Sequence, residues 1–458
     1  MSDINRIKER INFCIQGELW EQLPRFLNEL HSADIAEIIN HASIGDQNTI
    51  FELIDKKIKP DVLTELDQQA EADVLEELTD EEISDLVEEM APDDAADLLG
   101  DLEDDQREEI LDLMEDEESE EVRELLKYDE ETAGGIMTSD FVSVSASMTA
   151  AEAISYIGSL ELEEPVYFIY VVSESGYLQG YIQIWELLKT THLEKQLSNL
   201  AVKDTISVKT DTDQEEVARI ASKYDLSSLP VLDSKGILVG RITVDDIIDV
   251  IEEEASEDIF KLAGSNESEL EYNSPLHACK ARLPWLMVTL IAGFISSVIL
   301  KQFIANHIIA LSFFVPIIMA MGGNTGIQSS TLIIRGLAIG SIDENGLGKL
   351  LMRELTAGAL MGIMCGTLMG IWSSFIVGDN SEIPSIYLAF TVGTSLFAAM
   401  MFAAVFGAFA PLVLNRLKAD PAVASGPFVT ASNDILALLI YYGVTVGLIL
   451  LRTHLIGG

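Results

Sequence analysis

The chain has 458 residues and a formal net charge of −48, and its charged residues are unevenly distributed. Residues 1–274 contain 69 aspartates and glutamates against 19 lysines and arginines, whereas residues 275–458 contain 7 against 9. The surplus of negative charge excludes a nucleic-acid phosphate backbone as a partner. Repulsion of this size also disfavours a compact fold unless cations lie among the carboxylates.

Residues 1–130 are predicted to form an acidic helical N-domain. Apolar residues recur at spacings of three and four, in short segments separated by capping sequences such as Thr79-Asp80. Short stacked helices with one apolar face each predict a superhelical, solenoid-like domain. The first thirty residues lack the apolar run of a signal peptide, so the N-terminus is expected in the cytoplasm.

Residues 131–250 contain two copies of one α/β unit. The copies align at an offset of sixty residues, which matches Gly176 with Gly236 and Gly180 with Gly240. Each copy has a β-branched start, an amphipathic helix, apolar strands around a Gly turn and a closing helix. This order resembles a tandem pair of CBS domains.

The second copy carries the CBS element Gly-x-x-Thr-x-x-Asp as Gly240, Thr243 and Asp246. In nucleotide-binding CBS domains these residues hold an adenosine ribose, so the resemblance implies ATP as a regulatory ligand. The first copy departs from the pattern, with Gln183 and Glu186 at the matching positions. A motif that only closes a turn is the alternative.

Residues 251–274 are predicted to be an acidic connecting helix and linker, followed by a membrane domain over residues 275–458. Charge-free runs there are long enough for five spans. Basic residues collect on the flanks that face the cytoplasm when the N-terminus is inside, which places the C-terminus outside a multi-pass cell membrane protein. The predicted spans are Leu283–Leu300, Phe303–Ile334, Leu355–Val377, Ile383–Asn415 and Gly426–Leu451.

Two features of the membrane domain are not typical of residues that face lipid, because they are polar. The segment MGGNTGIQSS, residues 321–330, is expected to loosen or break its helix, with close helix packing as the alternative. Asp434 is the only acidic residue in the last span, and a carboxylate at that depth is costly enough to indicate function. A structural hydrogen bond is the alternative for Asp434.

The polar groups near these features are oxygen donors. Carboxylate, amide and hydroxyl oxygens suit Mg²⁺ or Ca²⁺ better than copper or zinc. A single carboxylate per chain is a small ligand set for a divalent cation. A symmetric homodimer would supply two carboxylates at a shared axis. The donors are Asp434, Asn433, Ser432, Thr430 and Asn324.

Taken together, these pieces resemble the MgtE-type magnesium channel family along the whole chain. The resemblance implies a homodimer in which Asp434 of both subunits binds hydrated Mg²⁺ in a pore. It also implies that the connecting helix is a plug, held shut by Mg²⁺ between acidic domains. Ile327 departs from the family, where a second Asn is common. The expected sensing carboxylates are Asp93, Asp94 and Asp97 in the N-domain, Asp245 and Asp249 in the CBS pair, and Glu252, Glu253, Glu254, Glu257 and Asp258 in the plug.

The predicted function is therefore Mg²⁺ uptake through a channel gated by internal Mg²⁺. An ion-coupled divalent cation carrier is the nearest alternative, and a nucleotide-sensing membrane receptor without transport is an alternative of another class. An enzyme is not expected, because no HExxH, GxSxG or Walker motif occurs. The expected partners are Mg²⁺, membrane lipid and a second copy of the chain.

Overall fold

The computed structural model describes residues 2–17, 19–160, 166–189, 193–266, 275–305, 309–342, 347–377, 384–424 and 426–456. The chain divides into two compact units, residues 1–252 and residues 253–458. The multidomain fold class predicted from the sequence is confirmed: a helical N-domain, a mixed α/β pair and a helical C-terminal domain. The predicted linker residues 267–274 lie outside the described residues.

The N-domain consists of short helices whose ends follow capping sequences. Thr79 and Glu82 form a reciprocal capping box, and Pro92 lies in the first turn of its helix. Helices α3, α4, α5, α7 and α8 each pack on the helix two positions later, as in a superhelical stack. The helices are α1 Ser2–Gln16, α2 Leu23–Leu27, α3 Ser32–Asn40, α4 Ile44–Glu52, α5 Lys59–Thr64, α6 Gln68–Leu75, α7 Asp80–Val87, α8 Pro92–Gly100, α9 Asp104–Leu113 and α10 Asp116–Leu125.

One carboxyl of this stack is expected to make stability depend on pH. Burial and the nearby Asp101 raise the pKa of Glu71 in α6 to about 7, from an ordinary 4.5. The folded chain then binds a proton that the unfolded chain releases, so stability falls as pH rises through this range. We expect Glu71→Gln to flatten that part of the pH dependence of the melting temperature, measured in detergent at low Mg²⁺. Equal slopes for wild type and variant would contradict the expectation.

The α/β part contains two three-stranded sheets of the same topology. In each, the first strand pairs parallel with the second, and the second pairs antiparallel with the third. Register shifts occur at Val171/Val172 and at Val231/Leu232, sixty residues apart, as the sequence offset predicts. The elements are β1 Ser143–Ser145, α11 Ala150–Ile157, β2 Phe168–Val172, β3 Leu178–Gln183, α12 Ile184–Lys189, β4 Val208–Lys209, α13 Gln214–Tyr224, β5 Ser228–Leu232, β6 Leu238–Thr243 and α14 Val244–Ala263.

The second repeat shares one continuous apolar core with the N-domain, whereas the first repeat has a core of its own. The segment that follows the N-domain lies close to the second repeat. Thr138 exchanges backbone hydrogen bonds with Arg241 in β6, and a Cβ at Gly240 would lie 2.8 Å from the Thr138 carbonyl oxygen. Glycine at position 240 is therefore required by the approach of this segment.

After the end of α14, the described residues of the second unit form five long α-helices and one short α-helix. These are α15 Pro275–Ala305, α16 Ile309–Ser312, α17 Val315–Ala338, α18 Leu347–Val377, α19 Ser385–Arg416 and α20 Gly426–Ile456. Among the described residues, four helices are long and apolar enough to cross a membrane, and α17 is not among them. With 24 residues it is long enough for a ~30 Å hydrocarbon core, so its polar residues make the difference.

Two predictions about this unit are wrong. The run Phe303–Ile334 is not one span, because α15 continues to Ala305 and α17 begins only at Val315. The segment 321–330 does not break its helix, because α17 is continuous. Its glycines instead admit neighbouring helices: a Cβ at Gly322 would lie 3.1 Å from the Ala437 Cβ. Close helix packing, the alternative, explains these glycines.

Candidate metal sites

Asp434 lies in α20 against the glycine segment of α17. A Cβ at Gly323 would lie 3.5 Å from its Oδ1 and 3.5 Å from the Cγ2 of Thr430, one turn away. Thr430 donates its hydroxyl hydrogen to the Gly426 carbonyl, so its oxygen keeps acceptor capacity. Within the described residues, no hydrogen bond or ion pair engages the Asp434 carboxylate. The structural hydrogen bond considered for Asp434 is therefore not found there.

One face of α17 is polar and exposed in the single chain. Asn324, Gln328, Thr331 and Arg335 recur at helical spacing along it. Asn324 and Asp434 form no hydrogen bond with each other in the described part of the chain. A polar stripe in an otherwise apolar domain needs protein or water against it.

A second carboxylate of the membrane domain was not predicted from the sequence as a site residue. Glu354 in α18 is 7% exposed and accepts a hydrogen bond from Ser329 Oγ at 2.9 Å. Arg353 donates to its other oxygen at 3.1 Å. The sequence placed Glu354 just outside a charge-free run, where it resembled an ordinary flanking charge. Its contact with Ser329 instead joins α18 to the glycine segment of α17.

Glu354→Ala is expected to destabilise the membrane domain. The change leaves the buried Ser329 hydroxyl without its acceptor, at a cost of about 1–3 kcal/mol. Glu354→Gln keeps an acceptor oxygen and is expected to cost less. Thermal unfolding of both variants in detergent measures the difference, and an alanine variant that melts with wild type would contradict the predicted role.

Asp93, at the start of α8, is the most deeply buried of the predicted sensing carboxylates. It is 9% exposed, and its Oδ1 has no hydrogen-bond partner in the described residues. Burial, followed by the charges of Asp246 and Asp94, raises the pKa of Asp93 to about 8. Burial also raises the pKa of Asp246, against the hydrogen bonds it accepts from Thr243. A buried acidic pair with an unpartnered oxygen has the chemistry of a hard-cation site.

The remaining predicted carboxylates lie mainly on more accessible surfaces. Asp97 is exposed on α8, and Asp245, Asp249, Glu252 and Glu253 are exposed on α14. Burial and the charges of Asp245 and Glu252 raise the pKa of Asp249. Asp94 and Glu254 are half-buried.

The end of α14 forms a charged cluster within the second unit. Lys261 pairs with Glu257 and donates to Asp420 Oδ2 at 2.7 Å. Burial and the charge of Asp420 raise the pKa of the adjacent Asp258, which Lys261 opposes. Lys261 and Asp420 were not predicted from the sequence as a pair, because 159 residues separate them. No group of three carboxylates, imidazoles or thiols able to hold a metal is found in the described part of the chain.

The predicted nucleotide motif closes the turn into α14. The Thr243 backbone N–H donates to Asp246 Oδ2 at 3.0 Å, and its hydroxyl donates to the same oxygen at 2.6 Å. These bonds cap the helix, as the alternative interpretation expects. The charge of Asp246, which was predicted only for the nucleotide site, also raises the pKa of the predicted sensing residue Asp93.

Family profiles match most of the chain. The profile for divalent cation transporters of the MgtE type matches residues 315–444, and the MgtE intracellular N domain matches residues 30–131. CBS domains match residues 133–192 and 197–253.

Curated relatives agree with these profiles, and two solved structures align with part of the chain. The magnesium transporter MgtE of Thermus thermophilus is 38% identical over 69% of this chain and 70% of its own length. The Bacillus subtilis protein of the same name is 36% identical over 70% of each chain. The soluble part of a magnesium transporter aligns with a TM-score of 0.49 and 30% identity, over 55% of this chain and 99% of that structure.

The cytosolic domain of the Mg²⁺ channel MgtE in complex with ATP aligns with a TM-score of 0.48 and 32% identity, over 52% of this chain and 99% of that structure. An archaeal homoserine O-acetyltransferase, from Methanococcus vannielii, is 28% identical over only 27% of this chain. The relatives matched over about 70% of their length are named as magnesium transporters, and the apolar helices fit a multi-pass membrane protein. The chain belongs to the MgtE family of divalent cation transporters.

Proposed function

We propose that this protein is a Mg²⁺ channel that internal Mg²⁺ closes. The observation that carries the proposal is the Asp434 carboxylate, which lies against Gly323 with no internal partner in the described residues. A carboxylate at that position attracts a divalent cation, and Mg²⁺ keeps most of its waters when it binds. The Asn324 oxygen on the polar stripe of α17 is the second donor that we assign to the path.

A homodimer completes this path. The polar stripe of α17 is exposed in the single chain, and a second copy across a two-fold axis would cover it and double the Asp434 charge. On the first unit, α14 exposes three apolar residues at helical spacing, Val244, Ile248 and Ile251. Apolar side chains in one row on a soluble helix favour a partner.

Closure depends on charge in the first unit. Asp93 has an unpartnered buried oxygen and faces Asp246, so these residues fit a divalent cation. Asp93 and Asp246 would hold Mg²⁺, which neutralises both carboxylates when bound. Without Mg²⁺, repulsion between the two carboxylates opposes the contact between α8 and the second CBS repeat once the pH exceeds about 8, the raised pKa of Asp93. The exposed carboxylates Asp97, Asp245, Asp249, Glu252 and Glu253 and the half-buried Glu254 supply further weak sites, and Glu257 and Asp258 do so near the membrane domain.

The functional test is growth of a Mg²⁺-uptake-deficient host at low external Mg²⁺. Expression of this chain is expected to restore growth, and purified protein in liposomes is expected to pass Mg²⁺ without a counter-ion gradient. Flux only with a proton or Na⁺ gradient would favour the coupled carrier. If the chain neither restores growth nor passes Mg²⁺, the receptor without transport is the remaining candidate.

Adenine nucleotide is expected to bind the second CBS repeat. The Asp246 carboxylate can accept hydrogen bonds from the hydroxyls of a ribose, and Thr243 lies beside Asp246. Asp246→Ala should weaken ATP binding about tenfold or more, as expected for loss of a charged hydrogen-bond acceptor. Calorimetry measures the change, with Glu186→Ala, exposed at the matching position of the first repeat, as the control. Undetectable ATP binding by the wild-type chain would remove this site.

A further inference from the structure

One side-chain amide in the membrane domain is buried, yet it forms no hydrogen bond in the described residues. Asn433 is 1% exposed, and neither its Oδ1 nor its Nδ2 has a hydrogen-bond partner in the residues that the structure describes. An amide buried in this way is costly compared with an apolar side chain. Neither stability nor an internal hydrogen bond therefore accounts for asparagine at this position, which leaves its shape and its contacts.

The amide of Asn433 fills the space that a glycine leaves open on α17. A Cβ at Gly326 would lie 1.7 Å from Asn433 Nδ2, so no other residue fits at position 326 without moving the amide. The Gly326 backbone is also held from α19, because a Cβ at Gly407 would lie 2.2 Å from the Gly326 carbonyl oxygen. Asn433 thus packs on a backbone segment that cannot retreat.

The next residue along α20 is Asp434, whose carboxylate contacts Gly323, three residues before Gly326 on the same helix. Consecutive helical residues differ by about 100° around the axis. Rotation of α20 that moves the amide away from Gly326 therefore also swings the carboxylate relative to Gly323.

We propose that Asn433 is a positioning residue for Asp434: its planar amide, seated on Gly326, fixes where the Asp434 carboxylate meets the ion. The inference rests on the proposed function, because it assigns the carboxylate to the Mg²⁺ path. It differs from a direct ligand role for Asn433, since the amide is enclosed between helices rather than exposed toward the polar face of α17.

The test uses the full-length protein in liposomes and compares four variants. Asn433→Ala is expected to raise the Mg²⁺ concentration for half-maximal flux about tenfold, because a displaced carboxylate binds the ion less well. Its thermal stability should stay at or above that of wild type, since an unsatisfied amide is removed. A residue with only a structural role would lower the amount of folded protein and leave the half-saturating concentration unchanged.

Gly326→Ala is expected to lose most flux, because its methyl group occupies the amide position. The double variant Gly326→Ala/Asn433→Ala makes room for that methyl group and should regain flux relative to Gly326→Ala alone. An unchanged half-saturating Mg²⁺ concentration in Asn433→Ala, or a double variant no better than Gly326→Ala, would overturn the inference. Asp434→Ala distinguishes failure of the proposed function from failure of the positioning role. Wild-type flux in Asp434→Ala overturns the proposed function itself. Loss of flux in Asp434→Ala, together with wild-type behaviour of Asn433→Ala, overturns the positioning role alone.

Discussion

Asp434→Ala is expected to abolish Mg²⁺ flux while the protein still folds and assembles. The carboxylate has no hydrogen-bond or ion-pair partner in the described part of the chain, so its removal leaves no other group unsatisfied. Its loss removes the negative charge that offsets partial dehydration of Mg²⁺ in an apolar surrounding. Fluorescent detection of Mg²⁺ entry into liposomes, together with a thermal melt and size-exclusion profile, measures both parts of the expectation.

Asp434→Asn is the matched control for shape. It keeps the size and one carbonyl oxygen but loses the charge, so flux should fall to a level between wild type and the alanine variant. Full Mg²⁺ flux from a folded Asp434→Ala dimer would move the selective site elsewhere, and Asn324 on the polar face of α17 would be the next residue to test.

Millimolar Mg²⁺ is expected to protect the first unit from proteases. The Asp93→Asn variant is expected to resist proteases at a lower Mg²⁺ concentration than wild type. Above about pH 8, the raised pKa of Asp93, this carboxylate is charged, and the uncharged amide then removes repulsion from Asp246 and the cost of a buried charge. The contact between α8 and the second CBS repeat should then persist at low Mg²⁺. Cleavage rates of the full-length protein across a Mg²⁺ series at constant ionic strength measure the effect.

Asp105→Asn is the control for this second prediction. It makes the same chemical change on an exposed position of α9, where a charge is solvated and contributes little. Its Mg²⁺ series should follow wild type. If Mg²⁺ changes the cleavage of neither wild type nor Asp93→Asn, gating by internal Mg²⁺ is wrong, whereas Mg²⁺ uptake through Asp434 would stand.

The α/β repeats were the part of the fold most accessible from sequence. A repeated order of strands, helices and Gly turns at one offset is local information, and the two register shifts follow it residue by residue. The short N-domain helices were accessible for the same reason, since capping pairs such as Thr79 and Glu82 lie within one turn. The apolar helices of the membrane domain follow from length and composition, although their ends do not.

The features that were missed depend on contacts between distant residues. Gly326 is unfavourable in a helix by intrinsic preference, yet α17 is continuous there, and the close approach of Asn433, more than a hundred residues later, is not visible in the local sequence. Asp93 was predicted as a sensing carboxylate, but its burial and its interactions with Asp246 and Thr138 are not visible in the local sequence. Glu354 resembled a flanking charge until its bond to Ser329 placed it inside the bundle.

The continuous core of the N-domain and the second CBS repeat has a consequence for dissecting this protein. Apolar residues from Ile11 to Ile247 belong to one cluster, so a truncation near residue 130 would open a hydrophobic surface rather than release an independent module. These two parts should melt as one cooperative transition in calorimetry, with the first repeat free to melt separately. Evolutionary exchange of the N-domain alone would then demand simultaneous changes in the second repeat, whereas the first repeat is the more replaceable piece.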